Sequence, residues 1–226
     1  MGPTISEVLP YAIGVAISPI PLVAVILMLF TPRAKQNGPA FLLGWVVGLS
    51  VLAAVVYVVA DALHVASDSS ASDSTSTLKI VLGAALLFGG LRRWRNRPRT
   101  DAEPVMPKWM ASVDTFTPVK AAGLGVLLGA VNPKNLVLTF GAAAGLAQLP
   151  GESTGDAVAG LIAFVVIASS TTALAVGYRI FGGESARAHL EDEKVWLTRH
   201  NEAVMAVLFL VFGVVILSQG LGLLTA

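Results

Sequence analysis

The chain has 226 residues, of which 55% are hydrophobic and 13% are charged, and its mean hydropathy is +0.76. One soluble core of this size cannot bury so much apolar surface, which indicates a lipid environment. The formal net charge of +1 gives no general attraction to nucleic acid, and the absence of cysteine excludes disulfides and thiolate metal sites. His64, His189 and His200 all lie outside the apolar stretches, so no metal or other cofactor is predicted within a membrane.

Six apolar segments are each predicted to cross a bilayer as a helix, because about 20 apolar residues span its hydrocarbon core. The third is the shortest, and a re-entrant segment is its alternative. Met1–Pro10 contains Glu7 and no basic residue, unlike a cleavable secretory signal, so the first segment is predicted to be retained. The six segments are Ile5–Phe30, Pro39–Ala60, Leu78–Leu91, Ala121–Leu149, Ala157–Phe181 and Ala203–Leu224.

Basic residues indicate how these segments are oriented. They are concentrated in connections one, three and five, whereas connections two and four are acidic. Because cytoplasmic loops are enriched in Lys and Arg, the odd connections are predicted to be cytoplasmic and both termini external. The basic residues of connection three are Arg92, Arg93, Arg95, Arg97, Arg99, Lys108 and Lys120.

Connection three, residues 92–120, is predicted to be a basic cytoplasmic linker. Its charges either attract anionic lipid headgroups or act only as a topology signal. Trp109, Met110, Val113 and Phe116 recur at near-helical spacing, which predicts a short amphipathic helix in the cytoplasmic interface. In connection two, the Ser- and Asp-rich run Ser67–Ser74 is predicted to be a flexible external loop.

Proline interrupts the first and fourth segments at matching depth. Ser18-Pro19-Ile20-Pro21 aligns with Asn132-Pro133-Lys134-Asn135, and each motif lies in the first segment of its half of the chain. Since three spans per half is an odd number, the halves enter the membrane in opposite directions. The sequence therefore predicts an all-α integral membrane protein of six transmembrane helices, built as two inverted-topology three-helix repeats over residues 1–91 and 121–226.

These two breaks are the predicted binding site. Proline lacks an amide hydrogen, so each break frees carbonyls, which within hydrocarbon only protein or water can satisfy. Paired Pro-interrupted segments in inverted halves point to a transporter's site, whereas a simple kink is the alternative for either break alone. Hydroxyls of the fifth segment serve either the cavity or helix packing. The candidate substrate-binding residues are Ser18, Pro19, Pro21, Asn132, Pro133, Lys134, Asn135, Ser169 and Ser170.

Lys134 gives this site its predicted chemistry. A lysine at the bilayer centre costs roughly 2.5–3.5 kcal/mol, and the midplane lies about 15 Å from either hydrocarbon edge, too far for snorkelling alone. No Asp or Glu lies in the central part of any segment, so no internal counter-charge is evident. An anionic ligand such as a phosphate or carboxylate is therefore predicted, assisted by the positive end of a broken half-helix.

These features resemble the lysine-exporter superfamily, and within it the GAP-like, or sulfolipid-addressing protein, family of actinobacteria. The resemblance covers nearly the whole chain, and its most specific pieces are Ser18–Pro21, Thr31–Ala34 with Gly44-Trp45, and Asn132–Asn135. It implies a multi-pass protein of the bacterial cytoplasmic membrane that moves glycolipids toward the cell envelope, alongside large lipid exporters. Metal export, which other members of the superfamily perform, is disfavoured because mid-membrane carboxylates, His and Cys are lacking.

Three functions follow from these patterns. The first is a transporter or flippase for an anionic lipid or glycolipid; the second is an amino-acid-type exporter; the third is an accessory subunit that transports nothing and steers a lipid exporter. A lateral opening toward lipid favours the first, and a sealed, water-facing vestibule favours the second. The sequence shows no nucleophile–base pair, so nothing of this kind in it indicates an enzyme. Small-residue runs such as Gly141–Gly145 permit close packing within the chain or in a homodimer.

Overall fold

Eight α-helices contain nearly all of the residues that the structure describes. The computed structural model describes residues 2–65, 71–97, 113, 115–149, 151 and 153–223, and no β-strand occurs among them. The all-α prediction is therefore confirmed for this part of the chain. In chain order the helices are α1 (Gly2–Ala16), α2 (Pro19–Leu29), α3 (Ala34–Val65), α4 (Ala71–Asn96), α5 (Pro118–Ala130), α6 (Pro133–Leu146), α7 (Thr154–Phe181) and α8 (Gly183–Gly220).

Several helices have the length and composition of membrane spans. Among the described residues, α3, α7 and α8 are each long and apolar enough to cross a membrane. The pairs α1–α2 and α5–α6 are bent by 53° and 60° at short breaks, and each pair passes the same test as one broken span. The fold is thus a helical membrane protein with three to five candidate spans, and the crossing by α4 stays a prediction.

The outward surface of these helices is apolar. On α3, Leu43, Val51 and Val58 are exposed, and on α7 the same holds for Val166 and Leu174. Soluble monomers rarely expose so continuous an apolar surface, whereas lipid tails solvate it well. The surface therefore agrees with the prediction of a membrane protein.

The third predicted span and the loop before it differ from expectation in their limits. The span Leu78–Leu91 lies inside α4, a helix of 26 residues. Because α4 begins at Ala71, the second half of the predicted loop Ser67–Ser74 is helical, while residues 66–70 lie outside the described residues. Antiparallel packing against α8 accounts for the added length, since Gly220 lies close to the carbonyl of Ser76.

Small residues set the spacing of α4 and α8. A Cβ at Gly83 would lie 2.6 Å from the backbone nitrogen of Leu217, and a Cβ at Gly213 would lie 2.9 Å from that of Leu87. These distances leave no room for a side chain, so the two backbones are in direct contact over several turns. Close approach through glycine is a common way for helices to associate in membranes.

Glycine also sets the distance between α3 and α5, which run parallel. A Cβ at Gly44 would lie 2.0 Å from the carbonyl oxygen of Ala122, and a Cβ at Gly125 would lie 2.2 Å from that of Phe41. Both distances are far below van der Waals contact. The pair is therefore packed backbone to backbone at both points.

The antiparallel helices α1 and α6 bring the two breaks together. Tyr11 packs against Gly141, and the carboxylate of Glu7 occupies the space that a side chain at Gly145 would fill. Glu7 is only 7% exposed, although it lies near the start of α1 and outside the central part of its span. The same antiparallel course places the end of α1 beside the start of α6.

The described parts of the linker 92–120 lie at its two ends. Residues 92–96 complete α4, whereas Trp109 and Met110, from the predicted interfacial helix, lie outside the described residues. Val113 is buried in the core. The carbonyl of Phe116 accepts a hydrogen bond of 2.9 Å from Nδ2 of Asn37 on α3. This end of the linker is therefore packed against the helices.

Gly125→Ala is expected to destabilise the protein, whereas Gly123→Ala on the same helix is not. A methyl group at position 125 meets the backbone of α3, and such overpacking costs about 1–3 kcal/mol. A methyl group at position 123 has nothing within 4 Å. Thermal unfolding of the two purified variants in detergent measures the difference, and equal midpoints would contradict the described packing.

Candidate functional site

Each break lies between a helix that ends and a helix that begins with proline. α2 begins at Pro19 after the extended residue Ser18, and α6 begins at Pro133 after the extended residue Asn132. Proline suits the first turn of a helix, because its missing amide hydrogen is not needed there. The same residue cannot donate to the preceding turn, so the preceding helix ends.

The first break leaves carbonyls at the end of α1 without their usual donors. In a continuous helix each carbonyl accepts from the amide four residues later. Pro19 and Pro21 have no amide hydrogen, so the carbonyls of Val15 and Ile17 lose their partners outright. Within a membrane these groups need other donors, because lipid tails offer none.

Side chains supply the missing donors. Lys134 on α6 donates from its ammonium to the carbonyls of Gly14 and Ile17, at 2.7 Å and 2.8 Å. All four carbonyls of residues 14–17 accept a side-chain hydrogen bond, so the protein itself closes the end of α1. The other two bonds run from Ser18 Oγ to the Val15 carbonyl and from Thr171 Oγ1 on α7 to the Ala16 carbonyl at 2.7 Å.

Lys134 is the most buried charged group of the site, with 2% of its surface exposed. Its charge lies at the carboxyl end of α1, where the helix dipole is negative. The sequence predicts an anionic ligand as the partner of this charge, whereas the structure provides two carbonyls of the chain. These engage two of the three hydrogens of the ammonium form, and neither carbonyl carries a net charge that would neutralise it.

Two asparagines stabilise the second break. Asn132 Oδ1 accepts a bond of 3.1 Å from the amide of Lys134 and so caps α6. Asn135 is fully buried, and its Nδ2 donates to the Leu128 carbonyl at 2.9 Å. Ser18 Oγ lies 3.4 Å from Asn135 Oδ1. The two breaks are therefore in direct contact, as the sequence predicts.

A cavity of about 370 Å³ lies beside the joined breaks. Its charged lining residues, Arg93 and Lys134, are both cationic. Leu127 of α5 and Val131, the residue after α5, also line it, and they are 56% and 58% exposed, so its mouth has an apolar edge at the surface. The other lining residues are Ser18, Pro19, Ile20, Pro21, Leu128, Asn132, Pro133, Met205 and Phe209.

The structure joins the predicted residues of the breaks but not those of α7. Ser169 is buried and its Oγ has no hydrogen-bond partner among the described residues, Ser170 is partly buried, and neither lines the cavity. The next hydroxyl, that of Thr171, reaches the first break instead. Asn135 supports the second break from outside the cavity lining.

Arg93 is a cavity residue that the sequence does not reveal. Its Nη1 donates to both carboxylate oxygens of Glu202 on α8, at 2.9 Å each. Its guanidinium carbon lies 5.5 Å from the centre of the Phe209 ring. In the sequence Arg93 is one of several arginines that indicate orientation, and no signal separates it from its neighbours. Only the packing of α4 on α8 places it at the cavity.

Lys134→Met is expected to lower the thermal unfolding midpoint of the purified protein. The carbonyls of Gly14 and Ile17 lose their donor, and each buried unpaired group costs about 1–3 kcal/mol. Lys120→Met is the control, because it removes the same charge from an exposed position on α5. Unfolding followed by circular dichroism in detergent compares the two variants. A Lys134→Met variant as stable as Lys120→Met would refute the role of Lys134 as the donor that stabilises the end of α1.

Among the comparisons with known proteins, the one with protein-family models gives a match. No curated protein and no solved structure matches the chain. The family model described as Sap, sulfolipid-1-addressing protein, matches residues 8–222, a range that includes both breaks and the α4–α8 pair. This match confirms the resemblance to the sulfolipid-addressing protein family, whereas the resemblance to the wider lysine-exporter superfamily stays a prediction. The chain therefore belongs to the sulfolipid-1-addressing protein family.

Proposed function

We propose that this protein transports an acidic lipid or glycolipid across the bacterial cytoplasmic membrane toward the cell envelope. The observation that carries the proposal is the cavity at the joined breaks, whose two charged lining residues are cations and whose mouth is apolar and exposed. An acidic headgroup suits the cations, and acyl chains suit the edge. The family's name refers to sulfolipid-1, which agrees with a substrate of this class.

The edge of the cavity favours a lipid over a water-soluble substrate. Leu127 of α5 and Val131 just after it are exposed, and exposed apolar side chains of a membrane protein are solvated by lipid tails. A headgroup is able to enter the cavity there while its acyl chains remain in the bilayer. An amino-acid-type substrate gains nothing from such an edge, so this alternative is less favoured.

The directions of the helices support two inverted repeats. α1 runs parallel to α7, with Thr4 beside Gly160 near one end and Ala16 bonded to Thr171 at the other. In the two halves α1 corresponds to α5, and α7 corresponds to α3. The pair that corresponds to α1–α7 is therefore α5–α3, and these helices also run parallel. The third helices of the halves, α4 and α8, pair antiparallel with each other. This is the pattern expected of repeats related by a twofold axis in the membrane plane.

Basic side chains support a cytoplasmic position for one end of the bundle. Arg187 and Lys194 of α8 lie over the ring of Phe30, at 5.6 Å and 5.4 Å from its centre. The basic connections one and five are therefore neighbours, and the positive-inside rule assigns them to the cytoplasm. Arg93 belongs to the basic end of α4, so the cavity lies toward the side from which a lipid made in the cell is loaded.

Val131→Trp is expected to slow lipid movement severalfold, because the indole ring fills the mouth of the cavity. The assay uses purified protein in phosphatidylcholine vesicles that contain acyl-labelled fluorescent phosphatidylglycerol. Dithionite destroys the label in the outer leaflet, so the remaining decay measures movement between leaflets.

Val119→Trp is the matched control, since Val119 is exposed at the other end of α5 and does not line the cavity. Wild-type protein that moves no labelled lipid would contradict the transport proposal and favour the accessory subunit. Equal rates for both tryptophan variants would remove the cavity from the route.

A further inference from the structure

Arg93 is the cation of the cavity that a ligand can reach. Its side chain is 36% exposed, whereas Lys134 is 2% exposed and holds the end of α1. The hydrogen bonds of Arg93 within the described part of the chain all start from Nη1, and a guanidinium carries five N–H donors. Arg93 therefore has donors available for a second anion.

Glu202 is the resident partner of Arg93, and the pair is open to competition. The Glu202 side chain is 38% exposed, and ion pairs at this exposure are weak because solvent screens them. The face of Phe209 supports the guanidinium independently of the carboxylate, through a cation–π contact. Arg93 is thus held at the cavity even when Glu202 is displaced.

We propose that Arg93 binds the acidic headgroup of the transported lipid, and that the headgroup displaces Glu202 from it. The inference rests on the proposed function, since it assigns the headgroup contact within the same cavity. Sulfate and phosphate groups both present the oxygens that a guanidinium binds with two parallel hydrogen bonds. The acyl chains pass Leu127 and Val131 at the apolar mouth.

Displacement of one anion by another explains why the pair selects an acidic lipid. An acidic headgroup takes over the hydrogen bonds of Glu202, so the guanidinium keeps a partner throughout. A lipid without a free anionic group offers no such replacement and would leave a charge unpaired beside apolar surface, which is costly. Glu202 therefore disfavours the binding of lipids that lack an acidic headgroup.

A purely structural role for the pair makes a different prediction. If the ion pair only ties α4 to α8, then Arg93→Gln and Glu202→Gln break the same contact and have the same effect. If Arg93 binds the headgroup, the two variants act in opposite directions, because one removes the binding group and the other removes its competitor.

The test measures binding of phosphatidylglycerol and of sulfatide to the purified full-length protein by native mass spectrometry in neutral detergent. Arg93→Gln is expected to lower the affinity for both lipids about tenfold or more, the usual effect of losing a charge-assisted hydrogen bond. Glu202→Gln is expected to raise the affinity for both lipids about threefold, because it removes the competing carboxylate. Arg93→Lys keeps the ion pair but loses the forked donors, so an intermediate loss of about threefold is expected.

The control is Arg92→Gln, which removes an equal charge from an exposed neighbour that does not line the cavity. Its affinities are expected to match those of the wild type, and unfolding midpoints identify any variant that is misfolded. Equal losses in Arg93→Gln and Glu202→Gln would overturn the proposal, as would wild-type affinity in a folded Arg93→Gln or Arg93→Lys.

Inorganic sulfate and an uncharged diacylglycerol separate the two parts of the ligand. Inorganic sulfate that competes with sulfatide at equal concentration would show that the lipid part contributes nothing, and would overturn the lipid assignment. Diacylglycerol has no anionic group and is expected to bind the wild type and Arg93→Gln alike. Because binding is measured without transport, a protein that binds through Arg93 but moves no labelled lipid refutes only the proposed function.

Discussion

The pairing of Lys134 with the end of α1 is the contact on which the rest of the structure depends. The first break frees carbonyls at the end of α1 that lipid cannot satisfy, among them those of Gly14 and Ile17, and a lysine in the same environment needs its own partners. Each group is costly alone, and together they satisfy each other at 2.7 Å and 2.8 Å. Because the donor and the acceptors come from different halves of the chain, this pairing also brings the halves together.

Close backbone packing makes that pairing possible. A lysine side chain is short compared with the width of a helix, so α1 and α6 must approach closely, and Gly141 and Gly145 allow this. The same device holds α3 on α5 and α4 on α8. At the breaks the pairs α1–α2 and α5–α6 are bent by 53° and 60°, and the cavity lies beside these bends. The same set of helices is thus packed tightly through glycine along its length and leaves open space beside the breaks.

The breaks, their contact and the burial of Lys134 could be predicted from the sequence, because proline and charge in an apolar run are local signals. The partner of Lys134 could not, since it is a backbone group 120 positions away with no mark in the sequence. Arg93 was hidden among neighbouring arginines, and only its helix face distinguishes it. The start of α4 was missed for a related reason: its Ser- and Thr-rich first turns lack an apolar pattern, and packing against α8 continues as far as Ser76.

The lysine bonds also bear on any movement of this region. They fasten α6 to α1, while Thr171 fastens α7 to the same helix end. Asn135 adds a bond to the Leu128 carbonyl and so links α5 to α6 across the second break. Separating any one of these helices at the breaks would leave a carbonyl that lipid cannot satisfy. A change of shape that keeps these bonds therefore has to move the four helices together.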